Sequence, residues 1–310
     1  MFRKSALSGK SPMSTKPDSR LTAQGKAWLD NLQHNGRSPK TVASYAAVLL
    51  NLHRFLHRRG ITDARQIKSN DLDAWQQSLI TCTPSTQEQF ARVVGYWLRW
   101  LVKQGELFGN PATALRKTKL PQRLVRCPSE AEMARLLGRV TGRSPEAKRN
   151  RALCETAYGT GARLAELVQL KVNSLRLDEG LILLHGKGDW DRMVPLTRLA
   201  GKYLRHYLAR ARGRLLGALP DHGALFISTH AGRALSSAGI SAVLRTAGRR
   251  VGLILTPHDF RRAFATHLLW GGAKPGQVKE LLGHRTYRHL GRYLQSCPPP
   301  LKPPHRMPSP

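Results

Sequence analysis

Apolar residues return at near-helical spacing from Leu21 onward, and Leu21, Trp28, Leu29 and Leu32 predict a first amphipathic helix. Ser38-Pro39 then offers an N-cap followed by proline at the first helical position, where the missing N–H costs nothing. Val42, Tyr45, Leu49, Leu52, Phe55 and Leu56 carry this second helix to a stop at Gly60. Asp71 is placed to cap a third, and a fourth runs from about Ser85 to Gly105 through Phe90, Val94, Trp97, Leu98 and Leu101. Residues 21–109 are therefore expected to form a small helical domain. Residues 1–20 hold Ser, Lys and Pro with few large apolar side chains, too little to offset ordering entropy, and are expected to be disordered.

The periodicity breaks over 110–128, NPATALRKTKLPQRLVRCP, which reads as a linker. Beyond it the pattern is mixed. Helices are expected near 129–140, 146–159, 197–212, 237–251, 258–271, 275–283 and 286–295. The alternating runs LILLH and MVPL flank GKGDWD as the strands of a β-hairpin would. The predicted fold is mainly α with a small β-sheet, with a second domain over 129–295 and a proline-rich tail over 296–310. No internal repeat is evident.

Charge narrows the function. Lys and Arg number 51 against 19 Asp and Glu in 310 residues, a formal net charge of +32. The basic residues recur between hydrophobic ones throughout, which suits a folded basic surface more than a charged arm. Nucleic acid is the leading partner, ahead of an anionic membrane surface or a ribosomal role. The four cysteines form no CxxC pair, so neither a zinc ribbon nor a small disulfide framework is indicated, and a reducing cytoplasm fits. The basic N-terminus lacks the apolar core of a signal peptide, and no stretch is apolar enough to span a bilayer. His53 and His57 stand one turn apart with no carboxylate or Cys beside them, so a solvated or phosphate-facing basic face is expected there rather than a metal.

Candidate chemistry comes from five short segments. Arg163 lies in GTGARLAEL, where Gly159 and Gly161 permit a tight turn before a helix and Glu166 stands three residues on. Lys187 lies at the tip of the predicted hairpin. His258 and Arg261, in HDFRRAFATHL, share one helix face. His284 ends LLGH, and Tyr293 follows it. Taken singly, each has an ordinary reading as a surface charge, a turn lysine or a helix-start histidine.

Together, GTGARLAEL, GKGDWDRMVPL, HDFRRAFATHL, LLGH and Tyr293 resemble the signature of the tyrosine recombinase, or phage integrase, family, particularly its Xer-like members. The intervals fit: 24 residues from Arg163 to Lys187, 23 from Arg261 to His284 and nine from His284 to Tyr293. The resemblance implies a two-domain, C-shaped clamp on double-stranded DNA, with a core-binding helical domain and a catalytic domain. It implies a tetramer on inverted-repeat core sites that exchanges strands through a Holliday junction, and chemistry without cofactor or metal. Tyr293 would attack to form a 3′-phosphotyrosyl bond, Arg163, Arg261 and His284 would hold nonbridging oxygens, His258 would help remove the tyrosine proton, and Lys187 would protonate the leaving 5′ oxygen. Glu166 would support Arg163.

Tyr287 also follows His284, but the family interval favours Tyr293. Tyr158 and Tyr203 are expected to pack. Two further readings use the same chain: a type IB topoisomerase-like or nicking enzyme acting without synapsis, and a catalytically idle DNA-binding regulator, against which the intact polar set argues. Two departures stand out. HDFRR occurs where Xer-like proteins more often have HxLRH, and the tail SCPPPLKPPHRMPSP cannot form the regular helix with which many relatives couple neighbouring subunits.

Overall fold

A computed structural model describes residues 19–116, 126–186, 190–230, 232–283 and 286. The chain divides into two compact units, Met1–Gln122 and Arg123–Pro310.

The first unit contains α1 (Arg20–His34), α2 (Pro39–His57), α3 (Ser69–Ser78) and α4 (Pro84–Lys103). Each long helix starts where the side-chain chemistry dictates: the hydroxyls of Ser19, Ser38 and Thr83 accept from the backbone N–H three residues on, and proline follows the cap in α2 and α4. Asp71 does not cap α3. It lies in the first turn, and its carboxylate reaches back to accept from the Lys68 N–H at 3.0 Å. The apolar stripes meet in a core of Leu21, Trp28, Leu49, Leu52, Leu56, Leu72, Trp75, Trp97 and Leu98.

His53 corrects the expectation of a solvated face. It is buried, edge-on to Trp97 at 5.3 Å between ring centroids, while His57 is exposed. A Cβ on Gly25 would lie 2.6 Å from the His53 ring, so α1 can approach α2 here only because residue 25 is glycine. Burial pushes the His53 pKa down to about 4.

Pro111–Ala114 form a 3₁₀ turn, and Gln76 exchanges two 2.9 Å hydrogen bonds with the backbone of Arg116, so the chain stays on this unit through residue 116.

The second unit is built around α6 (Pro145–Thr160), buried on most sides, which explains its weak amphipathicity. Around it stand α5 (Glu130–Arg139), α8 (Arg198–Tyr207), a π-helical turn Leu208–Arg212, α9 (Gly213–Leu216), α10 (Ser237–Arg249) and α11 (Pro257–Trp270), while α7 (Leu164–Gln169) packs on α10 and α12 (Pro275–Leu282) on α11 and β3. The sheet has three antiparallel strands in sequence order: β1 (Leu175–Arg176), β2 (Leu181–Leu184) and β3 (Arg192–Pro195). The predicted hairpin is β2–β3, with Leu184 opposite Arg192 and Ile182 opposite Val194. A Cβ on Gly186 would meet the Trp190 carbonyl at 2.3 Å, so the strands can close above the sheet only with glycine there. Among the described residues, no helix is long and apolar enough to cross a membrane.

Candidate active site

Three arginines from three elements converge on one carboxylate. Arg163 stands at the N-cap of α7, and Glu166 lies in the first turn of that helix. The Glu166 carboxylate accepts from the Arg163 backbone N–H at 2.7 Å and from Arg163 Nη1 at 2.7 Å. Arg192, the first residue of β3, donates to both oxygens, Nη1 to Oε1 at 3.0 Å and Nη2 to Oε2 at 2.9 Å. Arg261, from α11, brings Nη1 to 4.0 Å from Oε2. Burial disfavours the charged carboxylate, but the hydrogen bonds from Arg192 and Arg163 outweigh it and hold Glu166 at about 2.

The same three guanidiniums grip the end of α12. Arg192 Nε donates to the Leu281 carbonyl at 2.7 Å, Arg261 Nη2 to Leu282 at 2.6 Å and Arg163 Nη2 to Gly283 at 3.0 Å. A helix C-terminus leaves carbonyls unpaired and partially negative, so cations are favoured there. Gly283 ends the helix in the left-handed region, φ +62°, and a Cβ on it would press on the Arg192 guanidinium at 3.1 Å.

The glycines of GTGAR have separate tasks. Gly161 has φ +59°, and a Cβ there would lie 2.3 Å from the Phe264 ring; its carbonyl accepts from Arg261 Nη1 at 2.8 Å. Gly159 lets α6 pass close to Thr197 and Ala200.

In HDFRR, His258 sits in the first turn of α11, just after Pro257, and Arg261 one turn on. Asp259 accepts from the Thr256 N–H and hydroxyl, both at 2.7 Å, and pairs with Arg262 at 2.6 Å. Phe260 is fully buried. The departures from HxLRH therefore add a core anchor and an ion pair without displacing His258 or Arg261. Partial burial, then the Arg262 and Arg261 charges, push the His258 pKa down. The shift favours the neutral imidazole.

The four groups Arg163, Arg192, Arg261 and Glu166 carry three positive charges and one negative. The side chains of Arg261 and Arg192 are 3% and 10% exposed, whereas that of Arg163 is 41% exposed. An anion in solvent therefore meets Arg163 first. Of the expected site residues, Arg163, Glu166, His258 and Arg261 are placed by the structure; Lys187, His284 and Tyr293, with the competing Tyr287, lie outside the described residues, as does the tail over 296–310.

Sequence reasoning missed Arg192 and His267. His267 Nε2 can only donate to the Pro128 carbonyl at 2.9 Å, so its neutral Nδ1 accepts from the Tyr158 hydroxyl at 2.8 Å. This fixes residue 128 against α11. Tyr158 thus packs through a hydrogen bond, and Tyr203 lies under the Arg151 guanidinium at 4.3 Å.

Comparison with known proteins agrees with this picture. The sequence pattern of the phage integrase family matches residues 129–298. The tyrosine recombinase XerC of Lactobacillus delbrueckii subsp. bulgaricus is 35% identical over 271 residues, covering 85% of this chain and 90% of that protein. XerC of Pelotomaculum thermopropionicum is 35% identical over 80% of this chain and 84% of its own length. Among solved structures, the XerH site-specific recombinase bound to a palindromic difH substrate superposes with TM-score 0.72 at 20% identity, covering 88% of this chain and 80% of that one. A lambda integrase dimer on a COC′ core site gives 0.69 at 20% identity, covering 87% and 94%. The helical fold with its small sheet is therefore that of these recombinases, and the chain belongs to the phage integrase family as a tyrosine site-specific recombinase.

Proposed function

We propose that this recombinase cleaves double-stranded DNA at inverted-repeat core sites with Tyr293 as nucleophile, passes through a 3′-phosphotyrosyl intermediate, and exchanges strands as a tetramer through a Holliday junction. The observation that carries the reading is the convergence of Arg163 and Arg261, 98 residues apart, around Glu166 and at the carbonyls that lead into His284. Attack on a phosphodiester builds negative charge on its nonbridging oxygens, and fixed guanidiniums stabilise it with paired donors. Arg163 is open to that phosphate. Arg261 approaches the same carboxylate and donates to the Gly161 and Leu282 carbonyls, which fixes its guanidinium beside Arg163. His258, one turn from Arg261, takes the tyrosine proton, and Lys187 gives a proton to the departing 5′ oxygen. The phosphotyrosyl bond keeps the energy of the broken linkage, so rejoining follows without ATP. The charge of +32 supports DNA contact by both units.

The test is covalent capture on nicked duplexes drawn from a random-sequence library, where loss of the short strand beyond the nick traps the adduct. Wild type and Tyr287→Phe are expected to form protein–DNA adducts on a selected inverted repeat, and Tyr293→Phe to bind the same duplex without one. An adduct surviving in Tyr293→Phe would remove the assignment.

A further inference from the structure

Arg192 stands in none of the five segments' expected roles, yet it touches three separate parts of the site. Its bidentate bond to Glu166, its Nε bond to the Leu281 carbonyl and its packing on Gly283 join three separate pieces: the Arg163 turn, the end of α12 and the base of the β2–β3 hairpin. Arg192 pairs with Leu184 in that hairpin, five residues after Lys187. Above it, His185 and Asp191 pair across the strands at 2.7 Å. We propose that Arg192 is a positioning residue for strand cleavage, holding Glu166 and through it the Arg163 guanidinium while fixing the point from which the chain enters His284. The proposal rests on the recombinase reading given above.

The chemistry of the contact set sets this role apart from ordinary stabilisation. At 10% exposure Arg192 is turned inward, and its Nε, Nη1 and Nη2 each donate to a protein acceptor. Glu166 accepts from Arg163 through one side-chain bond, so the orientation of Arg163 depends on where the carboxylate lies, and Arg192 fixes both of its oxygens. Lysine keeps the charge but cannot supply two parallel N–H groups and a third at Nε. The groups facing Glu166 are Arg163 from α7, Arg192 from β3 and Arg261 from α11, with His258 beyond Arg261. Removing Arg192 leaves the carboxylate buried with less to offset its desolvation, so its ionisation moves toward neutral pH. Cleavage then acquires a dependence on pH that a packing role would not produce.

The experiment is single-turnover cleavage, across pH, of a nicked duplex carrying the site captured by the wild type. Arg192→Lys, Arg192→Met, Glu166→Gln and the pairings of each Arg192 change with Glu166→Gln are compared, with affinity measured separately on intact duplex. Misplacing a phosphate-binding guanidinium by an ångström is worth about 10²-fold, so both single Arg192 variants are expected to cleave about 10²-fold more slowly with affinity changed by less than about threefold. The Arg192→Met rate is expected to climb more steeply than wild type between about pH 5 and 8, on top of the rise that His258 gives both proteins, and this extra climb should vanish when Glu166→Gln is added. Each pairing should be no slower than its slower single variant, since both changes break one unit. Rates within threefold of wild type and an unchanged pH profile would overturn the role, and so would pairings that lose the product of the two single effects. If Arg192→Met does not fold, Arg192→Lys and its pairing decide by the same additivity. A wild type that forms no adduct on any duplex overturns the recombinase reading itself, whereas active wild type with insensitive Arg192 variants overturns only this inference.

Discussion

The two compact units spend their buried volume differently. The helical unit encloses tryptophans and leucines and keeps most of its ion pairs outside: Arg20 with Glu106 at 2.9 Å, and Arg59 with Asp71 at 3.3 Å at a helix start. The second unit buries ions themselves: Glu155, Glu166 and Arg261 are each 3% exposed, and Arg149 and Arg212 are nearly as enclosed. Taking charges out of water costs several kcal/mol per ion unless pairing is close to complete, and an apolar cluster of like volume holds a fold equally well. The helical unit shows that this chain can build such a cluster. Buried charge around Glu166 is therefore better explained by what it positions than by what it stabilises.

The largest effect should come from the exposed member of the hub. Arg163→Lys keeps the charge and is expected to lower strand cleavage by about 10²–10³-fold, the scale of losing a transition-state donor, with the unfolding transition close to that of wild type. Lys187→Ala should be similarly slow on ordinary DNA but recover on a substrate whose 5′ bridging oxygen is sulfur, because a thiolate leaves without a proton. Arg163→Lys should show no such recovery; rescue of both would mean that the two residues do the same thing.

Next in size is a break on the other side of the comparison. Trp97→Ala removes a fully buried indole and should cost about 3–5 kcal/mol. Hydrogen exchange should speed up in α1 to α4 and stay unchanged in α6 and α11. Equal loosening of both units would show that their cores are coupled.

Acid should separate the units by their titrations. His53, with a folded pKa of about 4 against an ordinary 6.5, contributes stability that is full above about pH 6.5 and lost as pH falls toward 4, about 3 kcal/mol in all. Glu166, at about 2 against an ordinary 4.5, contributes a similar amount that is full above about pH 4.5 and lost only as pH falls toward 2. Exchange in α2 should therefore rise at milder acidity than exchange in α7, and His53→Phe should abolish the earlier change. Simultaneous opening would count against both assignments.

The smallest effect is expected for Arg262→His, which restores the final histidine of HxLRH. It removes the pair with Asp259 and one charge that lowers His258, and a change in cleavage rate below about threefold is expected, as for a peripheral ion pair. A large loss would place Arg262 among the working groups.

How much of this could be read in advance depended on whether the signal was local. The helices of the first unit and the hairpin follow from spacing, caps and glycines within a few residues, and Arg163, Glu166, His258 and Arg261 stand in short distinctive segments. Arg192 stands in one as well, GKGDWDRMVPL, but it is one of 51 basic residues and its carboxylate partner is 26 residues upstream, so its role does not show in the segment itself. His53 was readable and was misread. With Leu49, Leu52 and Leu56 it lies on the apolar face of α2, while the basic run HRFLHRR drew attention to the opposite face. Asp71 was recognised as a helix-start residue but placed three positions early, because an acid can serve from the first turn as well as from the cap.

The bond from His267 to Pro128 bears on how relatives of this protein can be recombined with one another in the laboratory. Cys127 and Pro128 are buried in the second unit, while Leu115 and Arg116 are held to the helical unit by apolar packing and by Gln76. A chimaera that exchanges helical units should therefore be joined after Arg116 and before Cys127, each donor keeping its own flank. A junction placed at Asn110 would strip the helical unit of the turn that seats on α3, and one placed after Pro128 would give α11 a foreign carbonyl to hold.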